Sequence, residues 1–306
     1  AVRVAMQKLG FESLIASRGS AEREVVCAMV AARVVSPHTK LATTRWWHTT
    51  SLPEVFGVQE ADENALYAAM DWLLERQGAI QKKLAARHLA EGGLALYDLS
   101  SSYFEGRCCP LAKIGYSRDG KRNTLQVNYG LLTTRAGCPV AISVYEGNTA
   151  DTSTLLPQVS QLREDFGLKR LVLVGDRGMI SHKAIDTLRS LDGLEWVTAL
   201  KSSQIRTLVQ GGALQLDLFD ERNLFEFSHP DYPGERLMAC RNVDLGKLRA
   251  HKREALLAAT EKELAKIRAR VERGSLAGQD AIGVRVGKIV NKYKVAKHFA
   301  LTIQDA

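Results

Sequence analysis

Apolar residues in the first 92 positions recur at intervals of three and four, the spacing that puts side chains on one side of a helix. Val25, Val26, Met29 and Val30 form one such cluster. Leu66, Met70, Leu73 and Leu74 form another after Asp62, and Ile80, Leu84 and His88 continue a second face beyond Gly78. Pro37 and Pro53 mark breaks, and strand-like alternation is scarce, so residues 1–92 are predicted to be a helical region. The period changes after Gly92 and Gly93. Residues 94–97 are a short apolar run ending in Asp98. Residues 124–134 alternate and 139–145 follow across a four-residue turn, which predicts a hairpin. Asp151 is the predicted N-cap of an amphipathic helix carrying Leu155, Leu156, Val159 and Leu162. Residues 171–174 are continuously apolar, as in a strand buried on both faces, and run into Asp176 and Arg177. A helix over 183–190 and a strand over 194–200 complete a strand–helix–strand unit. A hairpin followed by alternating helices and strands indicates an α/β fold, a mixed sheet covered by helices, over residues 93–200.

Residues 201–306 read differently. Short strands are expected at 225–228 and 236–240. A long charged helix spans 243–273, with Leu256, Thr260, Leu264, Ile267 and Val271 as its apolar stripe, and Gly274 and Gly278 end it. Residues 299–303 form a last strand-like run.

Composition narrows this little. The 306 residues are 45% hydrophobic and 25% charged, which excludes disordered and collagen-like chains. No run is long and apolar enough for a membrane helix, and no secretory signal is visible. The five cysteines (27, 108, 109, 138 and 240) are scattered, as in a reducing, cytoplasmic setting. Charge is the exception, at +8. Residues 241–297 hold 15 Lys and Arg against 6 Asp and Glu, leaving 27 and 28 for the rest of the chain. The excess therefore belongs to one segment, the footprint expected of a polyanion binder. Lys247, Arg249, Lys252 and Arg253 in that segment, with Arg177 and Lys201 further upstream, are the candidate nucleic-acid contacts.

Asp98 and Asp176 carry the candidate chemistry. Each ends an apolar strand, where ligands of open α/β sheets bind. On neighbouring strands about 4.8 Å apart, both carboxylates can reach one cation. Magnesium takes such hard oxygen ligands and keeps sites for water and phosphate oxygens. Glu105 and Asp119 lie near Asp98 in sequence, to add to the acidic site or to be solvated loop carboxylates; Trp46 and Trp47, beside Arg45 and His48, could stack on bases or belong to the helical core; and Gly115-x-Ser117-x-Asp119 lacks the second glycine of a nucleophile elbow. No Walker A loop or G-x-G-x-x-G occurs.

Several blocks in fixed order add to this. They are residues 96–106 around Asp98, 115–120 (Gly-Tyr-Ser-Arg-Asp-Gly), Gln126, 137–140 (Gly-Cys-Pro-Val), 146–151 (Glu-Gly-Asn-Thr-Ala-Asp) and 174–181 (Val-Gly-Asp-Arg-Gly-Met-Ile-Ser). Together they resemble bacterial insertion-sequence transposases of the Asp-Asp-Glu class. That resemblance implies a ribonuclease-H-like mixed sheet (93–200) with an N-terminal helical region (1–92) and a C-terminal inserted subdomain (201–306). It implies Asp98 and Asp176 as catalytic metal ligands for Mg2+ or Mn2+, and double-stranded DNA, as element ends and target, as partner. It also implies a homodimer when active, and no membrane. The third acid of the family lies within Tyr-x2-Arg-x3-Glu-x6-Lys, which this sequence does not contain. Arg268-x3-Glu272 has Ala265 and Gln279 at the flanking positions, and Arg222-x3-Glu226 has Phe219 and Pro233. The resemblance therefore leads us to expect a chain truncated before its glutamate helix and inactive or nearly so in strand transfer by itself; the alternatives are a non-catalytic DNA-binding remnant and a metal-dependent nuclease.

Overall fold

The computed structural model describes residues 1–118, 120–121, 123–177, 179–180, 182–215 and 223–303. Asp119, Gly178, Ser181, Phe219 and Arg222 lie outside the described residues. The chain divides into two compact units, Ala1–Ser202 and Ser203–Ala306. Among the described residues no single helix is long and apolar enough to cross a membrane.

The first unit opens with helices α1 (Val2–Lys8), α2 (Phe11–Ile15), α3 (Ala21–Val35), α4 (Lys40–Trp47), α5 (Leu52–Phe56), α6 (Glu63–Leu74) and α7 (Gln77–His88). Their shared core contains Val25, Val26, Cys27, Trp47, Phe56 and Leu66. The inner face of α6 is Leu66, Ala69 and Leu73; Met70 and Leu74, expected on that face, are exposed, Leu74 to 66%. Positions 66, 69 and 73 keep the i, i+3, i+7 stripe, and Met70 and Leu74 rotate off it. His88 is likewise exposed, and Gly78 lies inside α7 rather than before it. Asp62 caps α6 by accepting a hydrogen bond at Oδ1 from the Ala65 N–H at 2.8 Å. Asp62→Ala is expected to cost about 1 kcal/mol, read as a lower denaturant midpoint at unchanged slope.

The sheet follows, with strands β1 (Gly93–Tyr103), β2 (Lys113–Ile114), β3 (Leu125–Thr134), β4 (Pro139–Glu146), β5 (Leu171–Gly175) and β6 (Leu194–Val197). β3 lies antiparallel to β1, β2 and β4, while β5 lies parallel to β1 and β6. The long strands thus run in the order β4-β3-β1-β5-β6, the mixed sheet of the ribonuclease-H-like class. Helices α8 (Asp151–Ser160), prolonged by a π-helical turn to Asp165, and α9 (His182–Arg189) cover one face. The core there contains Tyr97, Leu99, Leu132, Leu155, Leu162, Leu173 and Leu188.

β5 corrects one expectation. Its residues alternate between buried and half-buried, so only one face is packed and Val172 and Val174 look out from the other. The open face also exposes Leu131. A second correction concerns β1, which continues past Asp98 to Tyr103. The serines at 100–102 resemble loop sequence, yet they pair with Val127, Asn128 and Tyr129 of β3. A third concerns Asp151. It is the first residue of α8 rather than its cap, which is Ala150 without a side-chain hydrogen bond.

The second unit contains α10 (Ser202–Gln210, which begins at the boundary), the hairpin β7 (Leu224–Phe227) and β8 (Leu237–Cys240), and helices α11 (Val243–Glu272) and α12 (Gln279–Tyr293). Buried Thr260 and Ile267 lie on α11 and Val290 on α12. Neither α10 nor α12 is among the elements predicted from the sequence. Residues 299–303 form no strand.

Candidate active site

Pairing between β1 and β5 runs from Gly93↔Leu171 to Tyr97↔Gly175. Asp98 and Asp176 each follow that last pair, so the two carboxylates leave adjoining strands at the same level. Alternation sends Ala95, Tyr97 and Leu99 into the core and puts Leu96, Asp98 and Ser100 on the open face. Both aspartates are exposed. They line one open pocket of about 510 Å³, with Leu96, Ser100, Leu131, Thr133 and Val174 among its walls.

Each carboxylate is oriented by its own backbone. Asp98 Oδ1 accepts from the Leu99 N–H at 2.9 Å, and Asp176 Oδ1 accepts from the Arg177 N–H at 2.7 Å. Thr198 Oγ1 donates to the Asp176 carbonyl at 3.3 Å, which ties the end of β5 to the segment after β6. Two carboxylates on a solvent-facing pocket suit a hard divalent cation that retains water. Among the described residues no group of three or more His, Cys, Asp or Glu side chains is arranged to hold a metal. Asp98 and Asp176 are the two carboxylates that line this pocket.

Sequence reasoning missed the β3 wall of the pocket, Tyr129, Leu131 and Thr133. The period-two alternation of residues 125–134 contained the signal, but the register Asp98↔Leu131 is needed to use it. Arg177 is exposed beside Asp176, and Lys201 is exposed after β6. Lys247, Arg249, Lys252 and Arg253 lie on α11, in the second unit. Glu105 is exposed beyond the end of β1. Trp47 is fully buried, and Trp46 packs against His38 with ring centroids 5.7 Å apart. Glu272 pairs with Arg268 at 3.0 Å and Glu226 with Arg236 at 2.9 Å.

The family described as transposase DDE domain matches residues 110–275, more than half of the chain. The match includes Asp176 and begins after Asp98. No curated protein matches the chain. Among solved structures, the cryo-EM structure of the piggyBac transposase synaptic complex with hairpin DNA aligns at 12% identity and a TM-score of 0.42. That alignment covers 71% of this chain and 50% of that one, so this chain spans half the length of that protein. The Mos1 transposase paired-end complex with left transposon end aligns at 13% identity and a TM-score of 0.26, over 64% and 67% of the two chains.

Proposed function

The chain belongs to the transposase DDE domain family, and from that premise we propose that it is a DNA transposase whose phosphoryl-transfer site is the Asp98–Asp176 pocket. The observation that carries this is the pair itself, two carboxylates following the same register pair of adjoining parallel strands and lining one open pocket. Asp98 and Asp176 would hold Mg2+ or Mn2+, which supplies activation of an attacking oxygen and stabilisation of a leaving one. The residues of the chain do the rest. Backbone N–H groups of Leu99 and Arg177 fix the carboxylates, and the open face admits a DNA strand. Arg177, next to Asp176 and exposed, offers positive charge beside the pocket.

Supercoiled plasmid with Mg2+ provides the test. Nicking that is absent in Asp98→Asn while DNA binding persists is the expected result; binding without nicking by the unaltered chain overturns a catalytic role in favour of DNA binding alone. Strand transfer is expected at or near zero, because the pattern carrying the third acid is missing from these 306 residues. A strand-transfer product that disappears in Asp176→Ala overturns that expectation. Two element ends call for two copies of the chain, hence a homodimer on DNA.

We assign the duplex contact to one side of the first half of α11. Arg249, Lys252 and Arg253, spaced i, i+3 and i+4, share a face, whereas Asp244 and Glu254 point elsewhere around the helix. Among the described residues none of these three cations is in an ion pair. Lys247 precedes Arg249 by two positions and so lies on the opposite side. Replacing all three cations with alanine is expected to lower the slope of log affinity against log salt by about 2–3, with Lys247→Ala changing it least. Duplex titrations across a salt series measure this.

A further inference from the structure

Tyr116 and Arg118, from one sequence block that the carboxylate pocket does not use, and Asn148, Thr149, Ala150 and Asp151, from another, line a second pocket of about 330 Å³. Its construction is specific. Gln126 Nε2 donates to the carbonyls of Tyr116 at 2.9 Å and Gly147 at 2.8 Å. Asn128, only 2% exposed and part of the pocket wall, donates through Nδ2 to the carbonyls of Gly147 at 3.3 Å and Thr149 at 3.2 Å. A Cβ on Gly115 would collide with the Gly147 carbonyl, and one on Gly147 with the carbonyls of Gln126 and Lys113. Two buried amides and two glycines thus hold the loops together. Arg118 donates from its backbone N–H to Ser101 Oγ at 3.4 Å and from its guanidinium to Asp151 at 2.5 Å.

We propose that this pocket receives an unstacked nucleobase of the bound DNA, an inference that rests on the DNA-transposase reading above. Tyr116, which lines the pocket, is 82% exposed, and its ring offers a face for stacking. Among the other lining residues, Arg118 supplies donors and Asp151 an acceptor, with the Asn148 amide and the Thr152 hydroxyl supplying both. Such a mixed set matches the polar edge of a base. It does not match a phosphate, which the Asp151 carboxylate would repel while its ion pair with Arg118 already neutralises the guanidinium. The volume is in the range of small-ligand sites. Asn128 faces Ser101, and Leu131 faces Asp98, so the pocket lies three strand residues from the carboxylate, about 10 Å at strand rise. The odd spacing puts it on the other face of the sheet. A strand passing the catalytic pair and rounding the sheet end would place there a base within a few nucleotides of the reacting phosphate.

The probe is a short duplex containing one extra, unpaired 2-aminopurine, compared with the same duplex lacking it. The intact chain is expected to prefer the bulged duplex about tenfold and to quench the 2-aminopurine fluorescence, the gain typical of one base stacked on an aromatic ring. Tyr116→Ala loses the preference and Tyr116→Phe keeps it, while both bind the paired duplex as the unaltered chain does. Equal affinity of the intact chain for the two duplexes, or a preference that survives Tyr116→Ala, overturns the pocket and leaves DNA binding standing. Failure to bind either duplex overturns the DNA reading, and this inference with it.

Discussion

Asp176→Asn is expected to lower Mn2+ affinity at the open pocket by at least about thirtyfold, the loss of attraction between a divalent cation and one carboxylate about 4 Å away even at the dielectric of water. Asp98→Asn is expected to do the same, because the two side chains leave the sheet at one level. Asparagine keeps a carbonyl oxygen, so the hydrogen bonds from the Leu99 and Arg177 backbones survive. Both side chains are exposed, and removing either charge relieves repulsion from the other. Without metal, the melting temperature of either variant should therefore hold steady or rise slightly. Opposite movements of affinity and stability mark a ligand. If each aspartate merely held its own turn, the substitutions would leave Mn2+ affinity where it was. Electron paramagnetic resonance of free Mn2+ and thermal unfolding on the same samples decide between these roles.

The carboxylate pair was visible in the sequence because two apolar runs each stop at an aspartate, and burial dictates that sign of pattern locally. Their partnership was less visible. Asp98 sits in mid-strand by its pairing with β3 and at the end only of its pairing with β5, a distinction no single run encodes. The valines of β5 suggested burial on both faces, since β-branched residues serve a half-exposed strand equally well. Helix α12 escaped notice because Gly283 and Gly287 punctuate it, although Ile282, Val286, Ile289 and Val290 keep a helical stripe. Residues 299–303 show the converse, an apolar run that finds no strand to pair with. Arg118 and Asp151 are 33 residues apart, and their ion pair depends on loops pinned by Gln126 and Asn128. No spacing rule reaches that far.

Gly130→Ala is expected to destabilise the first unit by about 2–3 kcal/mol, the cost of overpacking a core that cannot give way. A Cβ there would collide with the Tyr97 hydroxyl and stand 2.7 Å from two carbons of its ring. Tyr97 has no free direction. It is 2% exposed, burial pushes its hydroxyl pKa upward, and that hydroxyl lies 3.3 Å from the Tyr145 hydroxyl. Gln158 in turn donates to Tyr145 at 3.0 Å and to Ser143 at 2.9 Å, so the tyrosines are anchored to α8 and β4. Relief must come from β1 itself. Tyr97 precedes Asp98 and pairs with Gly175, so the displaced strand carries the carboxylate with it, and Mn2+ affinity should fall alongside a melting temperature lower by roughly 5–10 °C. Gly78→Ala supplies the contrast within the same unit. It lies in α7 at an ordinary helical φ with nothing within 4 Å of the new methyl, so the same substitution should leave metal affinity alone and stabilise by a few tenths to about 1 kcal/mol. Combining Gly130→Ala with Tyr97→Leu separates the collision from any intrinsic need for glycine. Removing the ring makes room for the methyl, so the double variant should be more stable than the sum of the single effects implies, by about 1 kcal/mol or more. Strict additivity would mean that Gly130 is required by the backbone of β3 and not by Tyr97.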